Sequence, residues 1–185
     1  MSKINQFLIS CSLIALLGCG GSSDPKKTFV ENLIKAISSN DDTRIMELYA
    51  TKENLISAVI AVNVKEVNEF RRTNDIGSQL DANWTVTSLK DIQNREWLED
   101  NKSRFVSDVR SQLYNAHPEV DWKNISLRQY ECNGSPSGSP ISASFNVEIL
   151  SGFKTIKIYI STIHNDEGFF VWHRSTRRPA IRIIE

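Results

Sequence analysis

Two hydrophobic rhythms divide this chain. As far as Ala116, apolar residues recur three and four apart; beyond Pro118 they alternate. The helical half opens at Asp24-Pro25, with Asp as N-cap and Pro at the first helical position. Phe29, Val30, Leu33, Ile34 and Ile37 share one face, and Ser38-Ser39-Asn40 ends the helix. Asp41 or Asp42 caps a second, short helix whose stripe is Ile45, Met46, Leu48 and Tyr49. From Thr51 the spacing predicts a third helix through Leu55, Ile56, Val59, Ile60, Val67 and Phe70 to Arg72, broken at Asn74-Asp75-Ile76-Gly77-Ser78. Trp84-Thr85-Val86-Thr87 alternates and predicts a short strand. Helical spacing returns from about Glu96 to Ala116 through Leu98, Phe105, Val106, Val109 and Leu113. His117-Pro118 stops it, because the residue before proline avoids the α region. Trp97 and Tyr114 read as packing residues of that helix.

In the second half, Ile125 to Cys132 predicts a strand and Asn133 to Pro140 a polar loop. Ile141, Ala143, Phe145, Val147 and Ile149 alternate with polar partners, as in a half-buried antiparallel strand. Ser151-Gly152 turns into Phe153 to Ile163, with Ile156, Ile158 and Ile160 on one face. Asn165-Asp166-Glu167-Gly168 is a hairpin turn, and Phe169 to Ser175 returns. Helices first and a meander of strands afterwards define an α+β domain with helices packed on one face of an antiparallel sheet.

That order resembles the nuclear transport factor 2-like superfamily, whose cone-like fold wraps a curved sheet around helices. Two pieces carry the resemblance: Phe29 to Tyr49, a helix, an Asn-Asp-Asp turn and a short helix ending in Leu-Tyr; and Gly168-Phe169-Phe170-Val171-Trp172, a glycine-then-tryptophan strand. The helical length between Thr51 and Ala116 departs from the simplest members of the group.

The first residues follow a different logic. Lys3 is the only charge before Asp24, and the apolar run Phe7 to Leu17 is shorter than the roughly 20 residues that span a bilayer. The segment closely resembles a bacterial lipoprotein signal, with Leu16-Leu17-Gly18-Cys19 as its lipobox; Leu17 is a less common choice there than Ala or Ser. The resemblance implies that residues 1–18 are a cleaved signal peptide, that Cys19 carries the lipid, and that the protein sits in the bacterial cell envelope. Gly20 after the cysteine favours the outer membrane, facing the periplasm. Residues 19–23 are then a tether, and residues 24–185 a single domain. Gly20-Gly21-Ser22-Ser23 is flexible, and Cys19 to Ser23 reaches at most about 17 Å when extended.

Composition narrows the function classes. The 185 residues suffice for one domain. Lys and Arg number 22, as do Asp and Glu, so the basic excess expected of a nucleic-acid partner is missing. With Cys11 removed and Cys19 modified, Cys132 stands alone, which excludes a disulfide framework within the monomer. No basic neighbour in sequence activates that thiol. Arg174, Arg177, Arg178 and Arg182 concentrate charge near the C-terminus. They read either as a solvated sheet end paired with surface acids or, with Lys26 and Lys27 beside the anchor, as contacts to anionic headgroups. Each such contact is worth about 1 kcal/mol.

No nucleophile motif, phosphate loop or zinc spacing is present, so no cofactor is implied. His117 precedes Pro118 in a solvated loop; His164 sits at a hairpin end with Asp166 two residues on, too few ligands for a metal. His173 depends on register. If Asn165 pairs with Gly168, His173 joins the Ile156/Ile158/Ile160 face with Val171 and Phe169; a one-residue slip turns it outward. Enzymes of the resembled superfamily place an Asp or His inside the cone as general base, which makes His173 the candidate catalytic residue. The leading expectation is a non-catalytic, membrane-anchored lipoprotein that binds a protein partner or a small apolar ligand. The alternatives are a hydrolase or isomerase using His173 or a carboxylate, and an immunity-type lipoprotein. Replacing Cys19 with Ala removes the attachment point of the lipid. The variant is expected in the soluble fraction of fractionated cells, and membrane retention at the wild-type level would refute the anchor.

Overall fold

Asp24 starts the described part of the fold by accepting a hydrogen bond on Oδ1 from the Lys26 amide, 3.0 Å away. The computed structural model describes residues 24–77, 79–93, 98–134, 139–173 and 178–184. The leader, Cys19, the tether, Trp97, Arg174 and Arg177 lie outside the described residues. Helix α1, Pro25–Ser39, buries the whole expected stripe and ends on Asn40, whose φ of 51° places it in the left-handed region. Of the two possible caps for α2, Asp42–Glu47, Asp41 is the one used, accepting from the amides of Thr43 and Arg44.

The expected third helix is two. Helix α3, Lys52–Ile60, opens on a capping box between Thr51 and Asn54; α4, Val64–Thr73, starts afresh on Asn63, whose side chain accepts from the Glu66 amide. An asparagine offers the backbone a local alternative to helix, and here it interrupts an otherwise continuous apolar pattern. The restart leaves Ile60 and Phe70 63% and 61% exposed, although both fall in the helical stripe.

The strand expected at Trp84–Thr87 is the first turn of helix α5, Trp84–Gln93. Asp81 organises the approach: its Oδ1 accepts from the Asn83 amide and its carbonyl from the Trp84 amide. Trp84, Leu89 and Ile92 then pack on the core, so tertiary contact overrides the β-branched residues. Helix α6, Leu98–Val109, continues as a π turn over Arg110–Tyr114, where the Asn115 amide donates to the Arg110 carbonyl.

Strands β1 (Ile125–Gly134), β2 (Ser142–Ser151) and β3 (Lys154–Asn165) form an antiparallel meander. The outer edge of β3 carries two short strands end to end: β4, Gly168–Val171, and β5, Ile181–Ile184. Asn165 opposes Gly168, which has a φ of 145°, and the Asn165 Oδ1 accepts from the amides of Glu167 and Gly168. The two-residue turn sets the first of the two possible registers, with Phe169 and Val171 on the face of Ile156, Ile158 and Ile160. Pairing stops after Val171, however, and Ile160 opposes Ile181 rather than His173. Strand β5 lies beyond the expected elements, because four residues are too short to show a period.

Among the described residues the chain is thus an α+β domain in which six α-helices precede a five-strand antiparallel sheet and pack on it. Helix α1 lies on β1 and β4, α3 on β3 and α6 on β5. Phe145 centres the core, 5.0 Å between ring centroids from both Phe29 and Phe169. The opposite face is polar: Glu148 lies 3.6 Å from both Arg128 and Lys157, and Arg182 stacks 4.3 Å over Tyr159. This division sets an expectation for two phenylalanines. Phe145→Ala is expected to lose about 3–5 kcal/mol in urea unfolding. Phe153→Ser, at a turn residue that is 108% exposed, is expected to stay within about 0.5 kcal/mol of wild type. Equal losses would show the buried face to be wrongly assigned.

Candidate functional site

Two polar features stand out against the apolar core. The first forms where the helical half meets the sheet edge. Leu48 accepts from the Val171 amide at 2.7 Å, and the Ala50 amide donates to the Val171 carbonyl at 3.0 Å. This bridge sets the Tyr49 ring beside Phe105, Trp172 and His173. The Tyr49 hydroxyl lies 3.0 Å from His173 Nδ1 and accepts from the His173 amide at 3.3 Å. On the other side of the ring, Nε2 lies 2.8 Å from Asp108 Oδ2, which also accepts from the Ala180 amide at 3.0 Å. One tautomer serves every group: Nε2–H donates to Asp108, and Nδ1 accepts from the Tyr49 hydroxyl.

His173 therefore faces inward, and its side chain is only 2% exposed. Both ring nitrogens are occupied, Nδ1 by the Tyr49 hydroxyl and Nε2 by Asp108. Burial pushes the Tyr49 hydroxyl up to about 12. Chemically the arrangement is a satisfied chain of hydrogen bonds with no ring nitrogen free for a substrate.

The second feature lies at the rim. The layer between helices and sheet, where an apolar ligand would sit in a cone, is taken up by Leu33, Phe145, Ile158 and Ile160, all fully buried. Open volume appears instead between α4, the loop after it and the ends of β1, β2 and β3. A cleft of about 520 Å³ there is lined by Val67, Phe70, Ile76 and Pro140, with Glu66, Arg71, Ser139, Ser142 and His164 as polar members. A neighbouring hollow of about 260 Å³ shares Glu66, Val67, Pro140 and His164 with it. The loop is held back on α4 by Asn68, which donates to the Leu80 carbonyl at 3.1 Å and accepts from the Leu80 amide at 2.8 Å. The Ile76 amide donates to the Arg71 carbonyl at 2.9 Å. Gly77 follows with a φ of +48°, where a Cβ would come within 3.5 Å of Arg71 Nη2.

His164, at the end of β3, is half-buried against Phe169. Burial, and then the Lys26 charge, push its pKa below the ordinary histidine value. The same Lys26 opens α1, and Tyr130 donates its hydroxyl to Asp24 Oδ2 at 3.1 Å.

The remaining candidates are scattered. Lys27 pairs with Glu31 on α1, whereas Arg182 stacks on Tyr159 on the far side of the sheet, and Arg178 is exposed. His117 lies 3.4 Å from Glu119. Cys132 is a half-buried thiol whose pKa is raised by burial. Among the described residues no group of three or more His, Cys, Asp or Glu is placed to hold a metal ion. No helix among them is long and apolar enough to cross a membrane. Asp108 and Arg71 belong to no sequence motif, and Phe70 shows in the sequence only as an aromatic in a helical stripe. Compared with protein-family models, with curated proteins and with solved structures, the chain gives no match.

The polar chain makes a stability prediction. Tyr49→Phe deprives Nδ1 and the His173 amide of their partner and is expected to cost about 1–3 kcal/mol near neutral pH. Combined with Asp108→Asn, the loss should fall short of the sum of the two singles. The Tyr49 and Tyr114 hydroxyls are both raised from 10.0 to about 12 by burial. Their contribution is therefore complete below pH 10 and is lost as pH rises through 12. Urea midpoints of the wild type should fall across that window, and those of Tyr49→Phe should fall less steeply.

Proposed function

We propose that this chain is a lipid-anchored bacterial envelope protein whose domain binds a small apolar molecule, without catalysis, in the cleft between α4 and the ends of β1 to β3. The observation that carries the reading is the cleft itself. Its volume of about 520 Å³ falls in the roughly 300–1,000 Å³ range of small-molecule sites. Phe70 remains 61% exposed on its wall although it sits in a helical apolar stripe. An exposed aromatic in a concave apolar setting marks a binding surface better than a stray surface residue does.

The position of the cleft supports the anchored part of the reading. Asp24 accepts from the Tyr130 hydroxyl on β1, and the charge of Lys26, two residues on, acts on His164 in the cleft wall. With Cys19 lipidated and the tether at most about 17 Å long, the cleft lies close to the membrane surface. An apolar molecule leaving the bilayer then has a short path to Phe70. The order of helices and strands accords with the cone-like superfamily, with the ligand moved from a filled interior to the rim. A catalytic reading through His173 would require the ring to exchange Asp108 or Tyr49 for a substrate group.

The test uses the mature chain carrying Cys19→Ala, so that the protein is free of lipid. N-phenyl-1-naphthylamine, a neutral apolar fluorophore, is expected to bind it saturably with one site. Phe70→Asp, at an exposed position where folding is not at stake, should weaken that binding at least about tenfold, the order expected for charging an apolar pocket wall. Absence of saturable binding, or equal binding by the folded Phe70→Asp variant, would overturn the proposal.

A further inference from the structure

Arg71 is the group in the cleft that the fold does not explain. The residue is only 7% exposed, yet its Nε and Nη1 are buried with no hydrogen-bond partner. A desolvated guanidinium without an acceptor is costly, and buried charges in folded proteins are normally paired. The neighbourhood holds Arg71 in place without neutralising it. Asn68 and Leu80 fix the loop over α4.

We infer that the cleft takes a single-chain amphiphile with a monoanionic carboxylate head, its carboxylate on the Arg71 guanidinium and its chain along Val67, Phe70, Ile76 and Pro140. The inference rests on the cleft being the ligand site and adds the chemical class of the ligand. Three observations select that class. Arg71 lines the cleft, and because its Nε and Nη1 are sealed from solvent, an anionic head in the cleft meets the guanidinium at Nη2, where a charge-assisted bond forms. Among the described residues lining the cleft Arg71 is the one fixed cation, and Glu66, exposed at its edge, is the one carboxylate. A single negative charge therefore balances Arg71, whereas a dianionic head would be repelled by Glu66 without a second cation to hold it. The other walls are apolar apart from Ser139, Ser142 and His164, so the rest of the ligand is hydrocarbon. A free fatty acid has this chemistry.

The experiment displaces N-phenyl-1-naphthylamine from the mature Cys19→Ala chain with dodecanoate, 1-dodecanol and dodecyl phosphate, each below its micellar concentration. Dodecanoate is expected to bind at least about tenfold more tightly than dodecanol, as a hydrogen-bonded charge pair gives. In Arg71→Gln that preference should shrink to within about twofold while dodecanol affinity stays near wild type. Arg71→Lys, which keeps the charge, should retain part of the preference and serves if the glutamine variant does not fold. Equal affinity of dodecanoate and dodecanol in the wild type, or an undiminished preference in Arg71→Gln, would overturn the inference and leave the apolar site standing. Tighter binding of dodecyl phosphate than of dodecanoate would overturn the carboxylate assignment. Failure of the fluorophore itself to bind would remove the site and the inference together.

Discussion

The hydrogen-bond chain from Tyr49 through His173 to Asp108 and the Ala180 amide is the constraint on which the domain's closure depends. It joins four separate parts of the sequence: the end of α2, the exit from β4, helix α6 and the entry to β5. Strand β3 has one free edge, and two short strands share it. Asp108 ties the end of β4 to the start of β5, accepting from the His173 imidazole on one side and the Ala180 amide on the other. The Leu48–Val171 bridge adds a main-chain clasp on the outer side of β4. An exposed edge that would invite pairing with another chain is covered in this way. Buried polar groups of this kind contribute specificity as well as energy, because a shifted register at either strand would strand a donor or acceptor away from water.

Much of the layout was legible in the residues because period and turn chemistry agreed. Helix α1 is framed by Asp24-Pro25 and Asn40, and its apolar stripe is buried as spaced. The Asn165–Gly168 turn and the alternation of β2 gave the register that brings Phe169 and Val171 to the core face. The failures have physical causes. Helix α3 and helix α4 share one apolar phase, so only the capping chemistry of Asn63 separates them, and a cap inside a periodic run is easily overlooked. Trp84 to Thr87 alternates over too few residues to distinguish a strand from a helix start. Strand β5 is four residues long and is defined by its place beside β3 rather than by any pattern.

The candidate sites were less legible than the fold. His173 could be placed once the register was chosen, but its partners Tyr49 and Asp108 lie 124 and 65 residues away in sequence. The Phe70 side chain gives the same periodic signal whether it meets a core or a cleft. What separates the two is the direction taken by α4 after Asn63, which no local pattern records. Arg71 stands out only by lacking an acceptor, a property of the folded state alone.

The length of these connections bears on how the chain is made. The Tyr49–His173 contact spans 124 residues, and the groups that complete it emerge near the C-terminus. Synthesis delivers the helices first, and loop-closure entropy delays contacts of such separation. Until the last strands appear, the helical half has neither a complete sheet to pack on nor a partner for Tyr49. A fold whose latch joins Tyr49 to His173 is completed only once its last strands have been made.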